Sequence, residues 1–166
     1  MNMITKVILI LIGGVMAMEL EAKQNPNENA EVLAIRMIAK YEGFRSYVYT
    51  CPGGKSTIGY GFTRKELVDK GTITRQEADK ELGKEVRKRL VVIRKHCKGL
   101  TPKQEAAVCS FMYNVGETAF LKSTFLKKLK TNDFVGAREE IKKWNKSGGK
   151  VLAGLTKRRN AEAAWI

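Results

Sequence analysis

The chain has 166 residues and a net charge of +14, from 31 lysines and arginines against 17 aspartates and glutamates. Its length fits one domain with a sizeable core, and its 43% apolar share excludes a disordered chain or a multi-spanning membrane protein. One histidine and three cysteines exclude a multi-histidine metal site and a disulfide-built mini-protein, so no metal or other cofactor is predicted. The positive charge favours an anionic partner, such as nucleic acid, an acidic membrane or an anionic cell wall, or serves solubility alone.

The first residues have the pattern of an export signal. Lys6 precedes an uncharged apolar run from Val7 to Met18, which predicts a signal peptide or a releasable signal anchor in residues 1–22. At about 1.5 Å per residue the run is about 18 Å long, too short for the ~30 Å of hydrocarbon in a bilayer. We therefore expect a secreted or periplasmic protein that meets a membrane only through this segment. The polar residues 23–29 predict a linker to a domain at 30–166.

A helix and a β-hairpin are predicted next. Residues 30–41 have helical periodicity, and Glu42 falls at the end of the apolar stripe, where a carboxylate is unusual because glutamate is rarely buried unless paired. Residues 44–63 favour strands around a Pro-Gly-Gly turn, which predicts a hairpin or a three-stranded sheet. The predicted apolar stripe consists of Val32, Ile35, Ile38 and Ala39.

The remainder of the chain predicts a larger helical lobe. Helices are expected over residues 75–96, 102–115, 123–130, 134–146 and 157–166. Capping-box spacing occurs at Thr63 with Glu66, Thr74 with Glu77, and Thr101 with Gln104. The predicted fold class is therefore α+β, a small sheet beside a helical lobe, with room between them for an extended ligand.

Glu42 is the first candidate for chemistry. Eight residues separate it from Cys51, and five more separate Cys51 from Thr57. Cleavage of a glycosidic bond needs an acid at the leaving oxygen and a second group on the opposite face of the sugar. A carboxyl group at a helix end and a polar side chain from the hairpin can supply both. On spacing alone, a glutamate that merely ends a helix beside Arg45 explains the pattern equally well.

Four segments resemble the phage-type lysozymes, the muramidases of glycoside hydrolase family 24. They are YEGFR at residues 41–45, TIGYG at 57–61, SFMYNVGE at 110–117 and GLTKRR at 154–159. The resemblance covers roughly residues 30–166 and implies a lysozyme-like fold with the active-site cleft between the two lobes. It implies hydrolysis of the β-1,4 bond between N-acetylmuramic acid and N-acetylglucosamine in peptidoglycan, and hence bacterial cell-wall lysis.

The resemblance also implies roles for three residues near the cleft. Glu42 matches the general acid of the family. Cys51 stands where most members have aspartate, although some phage members have cysteine. Thr57 matches the threonine that positions the attacking water or the glycan.

Three further residues are implied as substrate-binding: Tyr113, Asn114 and Arg159. Tyr113 and Asn114 fall on positions that line the saccharide groove. Arg159 resembles the arginine of the C-terminal lobe that contacts the catalytic glutamate. Phe62 departs from the family, because many relatives have histidine there.

Two other functions stay open. A non-catalytic, cationic protein that binds the cell envelope and kills bacteria fits the charge and the cysteine at position 51. A lytic transglycosylase would share the acid but use no water. Nucleic-acid binding explains neither the export signal nor Glu42, so we expect peptidoglycan strands and an anionic wall as partners of a monomer. Cys97 and Cys109 could form a disulfide or stay as buried thiols.

Overall fold

The computed structural model describes residues 29–51 and 54–166. The predicted export segment 1–22, nearly all of the linker 23–29, and two residues of the hairpin turn lie outside the described residues. The elements in chain order are α1 (Ala30–Glu42), β1 (Arg45–Thr50), β2 (Ser56–Gly59), α2 (Lys65–Asp69), α3 (Arg75–His96), α4 (Pro102–Val115), α5 (Glu117–Lys122), α6 (Thr124–Lys130), α7 (Phe134–Lys142), β3 (Lys146–Ser147), β4 (Lys150–Val151) and α8 (Ala153–Ala163).

The β1–β2 hairpin forms the small lobe. The two strands pair antiparallel, with Tyr49 opposite Thr57 and an irregularity nearer the start of β1. After β2 the chain turns back tightly, because Ile58 and Phe62 exchange backbone hydrogen bonds of 3.0 and 2.8 Å. The predicted small sheet is confirmed as a two-stranded hairpin.

The long helix α3 runs over the predicted residues and begins at a capping box. Thr74 accepts from the backbone of Glu77, and the Glu77 carboxylate accepts in return from the backbone of Thr74. Hydrogen bonds from Lys70 and then from Thr74 lower the pKa of Glu77 to about 2. The predicted apolar face is buried, as expected from spacings of three and four; it consists of Leu82, Val86, Leu90 and Ile93.

The core of the helical lobe is built around α4. This helix packs against α1, α3 and α8, and its Thr101–Gln104 capping box forms as predicted. Phe111 in α4 lies at the centre of an aromatic cluster, with edge-on ring contacts of 5.0 Å to Phe125 and 5.4 Å to Trp144. Burial of each such side chain contributes roughly 1.5–3 kcal/mol. The cluster therefore stabilises the position of α4, against which α1 and α8 pack.

The predicted apolar stripe of α1 is correct for Ile38, which is buried, and for Ile35 and Ala39, which pack against the core, but wrong for Val32, which is 38% exposed. Leu33 and Met37, outside the predicted stripe, are also buried, because α1 packs against both α3 and α4. Helix α2 begins after Arg64 rather than at a Thr63–Glu66 capping box.

The C-terminal boundaries also differ from the prediction. Helix α7 ends at Lys142, and the short β3–β4 hairpin turns through Gly148 and Gly149, both with positive φ. Helix α8 therefore begins at Ala153, four residues earlier than predicted. The short helix α5 was not predicted at all.

Cys97 and Cys109 are buried thiols rather than a disulfide. Burial raises the pKa of Cys97 to about 11 and that of Cys109 to about 12. Among the helices of the described residues, none combines the length and the apolar character needed to cross a membrane.

Candidate active site

Glu42 lies where the helical lobe meets the hairpin. It is the last residue of α1, and the helix stops there because Gly43 turns the chain with a φ of +67°, its N–H donating to the carbonyl of Ala39 at 3.1 Å. The Glu42 side chain is 22% exposed, so the carboxylate is held by protein and still reaches solvent.

An arginine from the C-terminal helix holds one carboxylate oxygen of Glu42. Nη1 of Arg158 donates to Oε1 of Glu42 at 2.6 Å, and the guanidinium of Arg158 lies 5.5 Å from the ring centre of Tyr41. Arg158 is almost fully buried, so this contact is shielded from water and orients the carboxylate.

The other oxygen of Glu42 faces the hairpin at Gly61. Gly61 has a φ of +87°, and a Cβ placed on it would lie 3.4 Å from Oε2 of Glu42. Glycine satisfies both requirements here, because it adopts positive φ without strain and leaves the space beside Oε2 open. Oε1 of Glu42 therefore points to α8, and Oε2 points to the hairpin.

Cys51 and Thr57 lie together in the hairpin through one shared carbonyl. The backbone N–H of Cys51 donates to the carbonyl of Lys55 at 2.9 Å, and the hydroxyl of Thr57 lies 3.1 Å from the same oxygen. The Thr57 hydroxyl is also 3.2 Å from the carbonyl of Tyr49, and the residue is 4% exposed. Thr57 thus bonds within the hairpin, whereas Cys51 is partly exposed at its turn.

Tyr113 joins the helical lobe to the hairpin beside Glu42. Its hydroxyl donates to the carbonyl of Tyr60 at 2.8 Å, and the guanidinium of Arg89 lies 4.8 Å from its ring centre. Burial, and then the charge of Glu42, raise the pKa of Tyr113, so it stays a neutral donor. Asn114, the next residue, is exposed at the end of α4.

A cavity of about 200 Å³ opens between the hairpin and α3 on this side. Its polar wall includes Arg89, which is paired with Glu85 at 2.6 Å. Phe62, the departure from the family pattern, lines it while packing edge-on to Tyr60 at 6.3 Å. The full lining is Gly61, Phe62, Thr63, Arg64, Glu85, Arg89 and Tyr113.

The prediction that Arg159 contacts Glu42 is wrong, because Arg158 makes that contact. Arg159 is fully buried, its Nη2 donates to Glu162 at 3.0 Å, and its guanidinium lies 5.0 Å from the ring centre of Phe111. Burial lowers the pKa of Arg159 to about 10. One residue along a helix rotates a side chain by about 100°, so Arg158 reaches Glu42 while Arg159 packs on Phe111.

Sequence reasoning missed Glu162 and Ser110, two fully buried polar residues behind Arg158. Oε1 of Glu162 accepts from Nε of Arg158 at 3.1 Å and from the hydroxyl of Ser110 at 2.7 Å. Burial raises the pKa of Glu162, and the charges of Arg159 and Arg158 oppose that rise. The available signal was a glutamate four residues after Arg158 in an otherwise apolar helix end, since such a spacing allows an ion pair.

Comparisons with known proteins identify the family of the chain. Residues 39–162 match the family model described as Phage lysozyme. The chain is 40% identical over 133 residues to an endolysin of Acyrthosiphon pisum secondary endosymbiont phage 1, covering 77% of this chain and 90% of that protein. It is 34% identical over 122 residues to a SAR-endolysin of Bacteriophage PS119, covering 73% of each.

Solved structures give the same result for the fold. An endolysin from Escherichia coli O157:H7 phage FAHEc1 superposes with a TM-score of 0.72 at 30% identity, over 84% of this chain and 93% of that one. The two-lobed α+β fold predicted from the sequence is therefore a lysozyme fold.

Proposed function

The chain belongs to the phage lysozyme family, and on that premise we propose that it is a muramidase that hydrolyses the β-1,4 bond between N-acetylmuramic acid and N-acetylglucosamine. Peptidoglycan hydrolysis follows from the family, and the particular bond and the lysis of cells are the proposal. The observation that carries it is the Glu42 carboxylate, which one arginine orients from behind and which faces an open glycine on the hairpin.

Glu42 is proposed as the general acid. Oε1 is occupied by Arg158, so the proton is carried on Oε2, the oxygen beside Gly61. Oε2 gives this proton to the leaving glycosidic oxygen as the bond to the anomeric carbon breaks. The ionised Glu42 that results is stabilised by the charge-assisted hydrogen bond from Arg158.

The hairpin is proposed to serve the opposite face of the sugar. Cys51 is the proposed catalytic group there, assisting the attacking water or stabilising positive charge at the anomeric carbon. Thr57 is bonded to the carbonyl of Lys55, which also holds the backbone of Cys51, so its proposed role is to fix the turn that carries the thiol. Tyr113 and Asn114 are proposed to line the groove for the glycan.

We also propose where the enzyme acts. Relatives that carry the name endolysin support action on the cell wall after export, in the periplasm or outside the cell. Residues 1–22 stay the predicted export segment, and a monomer stays the predicted state. The net charge of +14 favours approach to the anionic wall.

Analysis of reaction products tests the proposal. The full-length protein is incubated with purified peptidoglycan, and the released fragments are reduced with borohydride and identified by mass spectrometry. We expect muramic acid at the reduced ends. A 1,6-anhydro ring would mean transglycosylation, reduced glucosamine would mean cleavage of the other glycosidic bond, and binding without release would favour the non-catalytic alternative. Each of these three results contradicts the proposal.

A further inference from the structure

A buried ionic cluster lies behind Glu42 and contacts it through Arg158. Within the described residues it consists of Arg158, Arg159, Glu162 and the neutral Ser110, all at most 3% exposed. Such a cluster contributes little to stability, because the cost of removing charges from water offsets their attraction. The contacts of the cluster indicate a role other than stability.

We propose that Glu162 is a positioning residue for the catalytic carboxylate, acting through Arg158; the proposal rests on the role of Glu42 as general acid. The guanidinium of Arg158 is a planar fork, so fixing two of its nitrogens fixes the direction of the third. Its Nε donates to Glu162 at 3.1 Å, and its Nη2 donates to the carbonyl of Ser110 at 3.1 Å. The remaining Nη1 is thereby aimed at Oε1 of Glu42.

Ser110 completes the restraint from the neighbouring helix. Its hydroxyl donates to Oε1 of Glu162 at 2.7 Å and lies 3.3 Å from Nη2 of Arg158. The carboxylate of Glu162 is therefore held by α4, and Arg158 is held by α4 and α8 together. The position of Glu42 at the end of α1 is set by both helices rather than by one flexible side chain.

Glu162 also balances the charge that Glu42 experiences. Around Glu42, α8 contributes Arg158, Arg159 and Glu162, whereas Tyr41 of α1 and Tyr113 of α4 are neutral because burial raises the pKa of each. The positive charges of Arg158 and Arg159 thus lie among the carboxylates of Glu42 and Glu162. Removal of the Glu162 charge weakens the hold on Nε of Arg158, so Nη1 is no longer aimed at Oε1 of Glu42.

The test compares full-length wild type with Glu162→Gln, which keeps the shape and removes the charge. We expect kcat on purified peptidoglycan to fall about 10–10²-fold with little change in KM, because the acid is misplaced while the glycan is still bound. An unchanged kcat, or a KM that rises as much as kcat falls, would overturn the proposal.

Glu105→Gln is the matched control. Glu105 accepts from Nε and Nη2 of Arg94 at 2.9 and 2.7 Å in the first turns of α4, away from the cluster. This variant should keep the wild-type kcat and KM. If the control moves them as much as Glu162→Gln does, the effect is a general loss of an ion pair and the proposal fails.

Two further arms keep the result decisive. Should Glu162→Gln not fold, Ser110→Ala removes one oxygen and no charge; we expect about a 3–10-fold loss in kcat, and an unchanged kcat would overturn the proposal. Should the wild type release no fragments, the proposed function itself fails, whereas an active wild type beside an equally active Glu162→Gln variant overturns the positioning role alone.

Discussion

Alanine at Gly61 tests how closely the hairpin approaches the catalytic carboxylate. Gly61 combines a φ of +87° with a position where an added Cβ lies 3.4 Å from Oε2 of Glu42. Gly99, in the loop between α3 and α4, has a φ of +76° with no atom within 4 Å of an added Cβ. Gly61→Ala and Gly99→Ala therefore share the backbone strain, and only the first perturbs the site.

The magnitudes follow from these two terms. Positive φ costs a residue with a side chain roughly 1–2 kcal/mol, which lowers Tm by about 2–8 °C in a domain of this size. At 3.4 Å the methyl group presses Oε2 away by a few tenths of an ångström. If ~1 Å of misplacement costs ~10²-fold, this shift costs about 4–10-fold in kcat.

The assay measures thermal unfolding and kcat on purified peptidoglycan for both variants. We expect similar losses of Tm and, at a temperature where both are folded, a kcat for Gly61→Ala about 4–10-fold below that of Gly99→Ala. Equal kcat values would refute the assignment of Oε2, beside Gly61, as the oxygen that donates the proton.

Four other perturbations give measurable outcomes. At pH 8, iodoacetamide should label Cys51 and spare Cys97 and Cys109, whose pKa values burial raises to about 11 and about 12. Cys51→Asp should keep activity and Cys51→Ala lose most of it, and full activity of the alanine variant would remove the thiol from catalysis. The pKa of Glu77 is lowered by hydrogen bonds from 4.5 to about 2, so its contribution to stability is present above pH 4.5 and lost as the pH falls towards 2. Glu77→Gln should therefore flatten the unfolding free energy over that interval, and an unchanged pH dependence would contradict the capping role. Added salt should slow lysis of whole cell walls but not cleavage of an uncharged chitin oligomer, since screening acts over ~8 Å at physiological ionic strength, and equal responses would limit the +14 charge to solubility.

The parts of the fold set by local pattern were predictable from the sequence. Helix α3 begins at the capping box of Thr74 and buries its apolar residues at spacings of three and four, and its bounds are those predicted. The exposed side of α1 was not predictable, because two partner helices decide which residues are buried, and they leave Val32 outside. The start of α8 was missed because the chain before it forms the short, glycine-rich β3–β4 hairpin, and the helix begins directly after that hairpin, at Ala153.

Some residues of the candidate site were also predictable from the sequence, and others were not. Glu42 was found because a carboxylate at an apolar helix end is unusual and because the surrounding motif resembles a family. The arginine that holds it was misassigned by one residue, Arg159 for Arg158, since two adjacent arginines cannot be told apart without the orientation of the helix. Glu162 was missed although its spacing from Arg158 allows an ion pair, because its burial and its hydrogen bond from Ser110 depend on how α8 packs against α4.

Glu42→Gln tests the central claim most directly, because the amide keeps the shape of the side chain and carries no acidic proton. The matched control is Glu31→Gln, at the opposite end of the same helix, where Glu31 pairs with Arg87. With both variants folded, release of muropeptides from purified peptidoglycan should fall about 10²–10⁴-fold in Glu42→Gln and stay at the wild-type rate in Glu31→Gln. If Glu42→Gln kept more than about a tenth of the wild-type rate, Glu42 would not be the general acid.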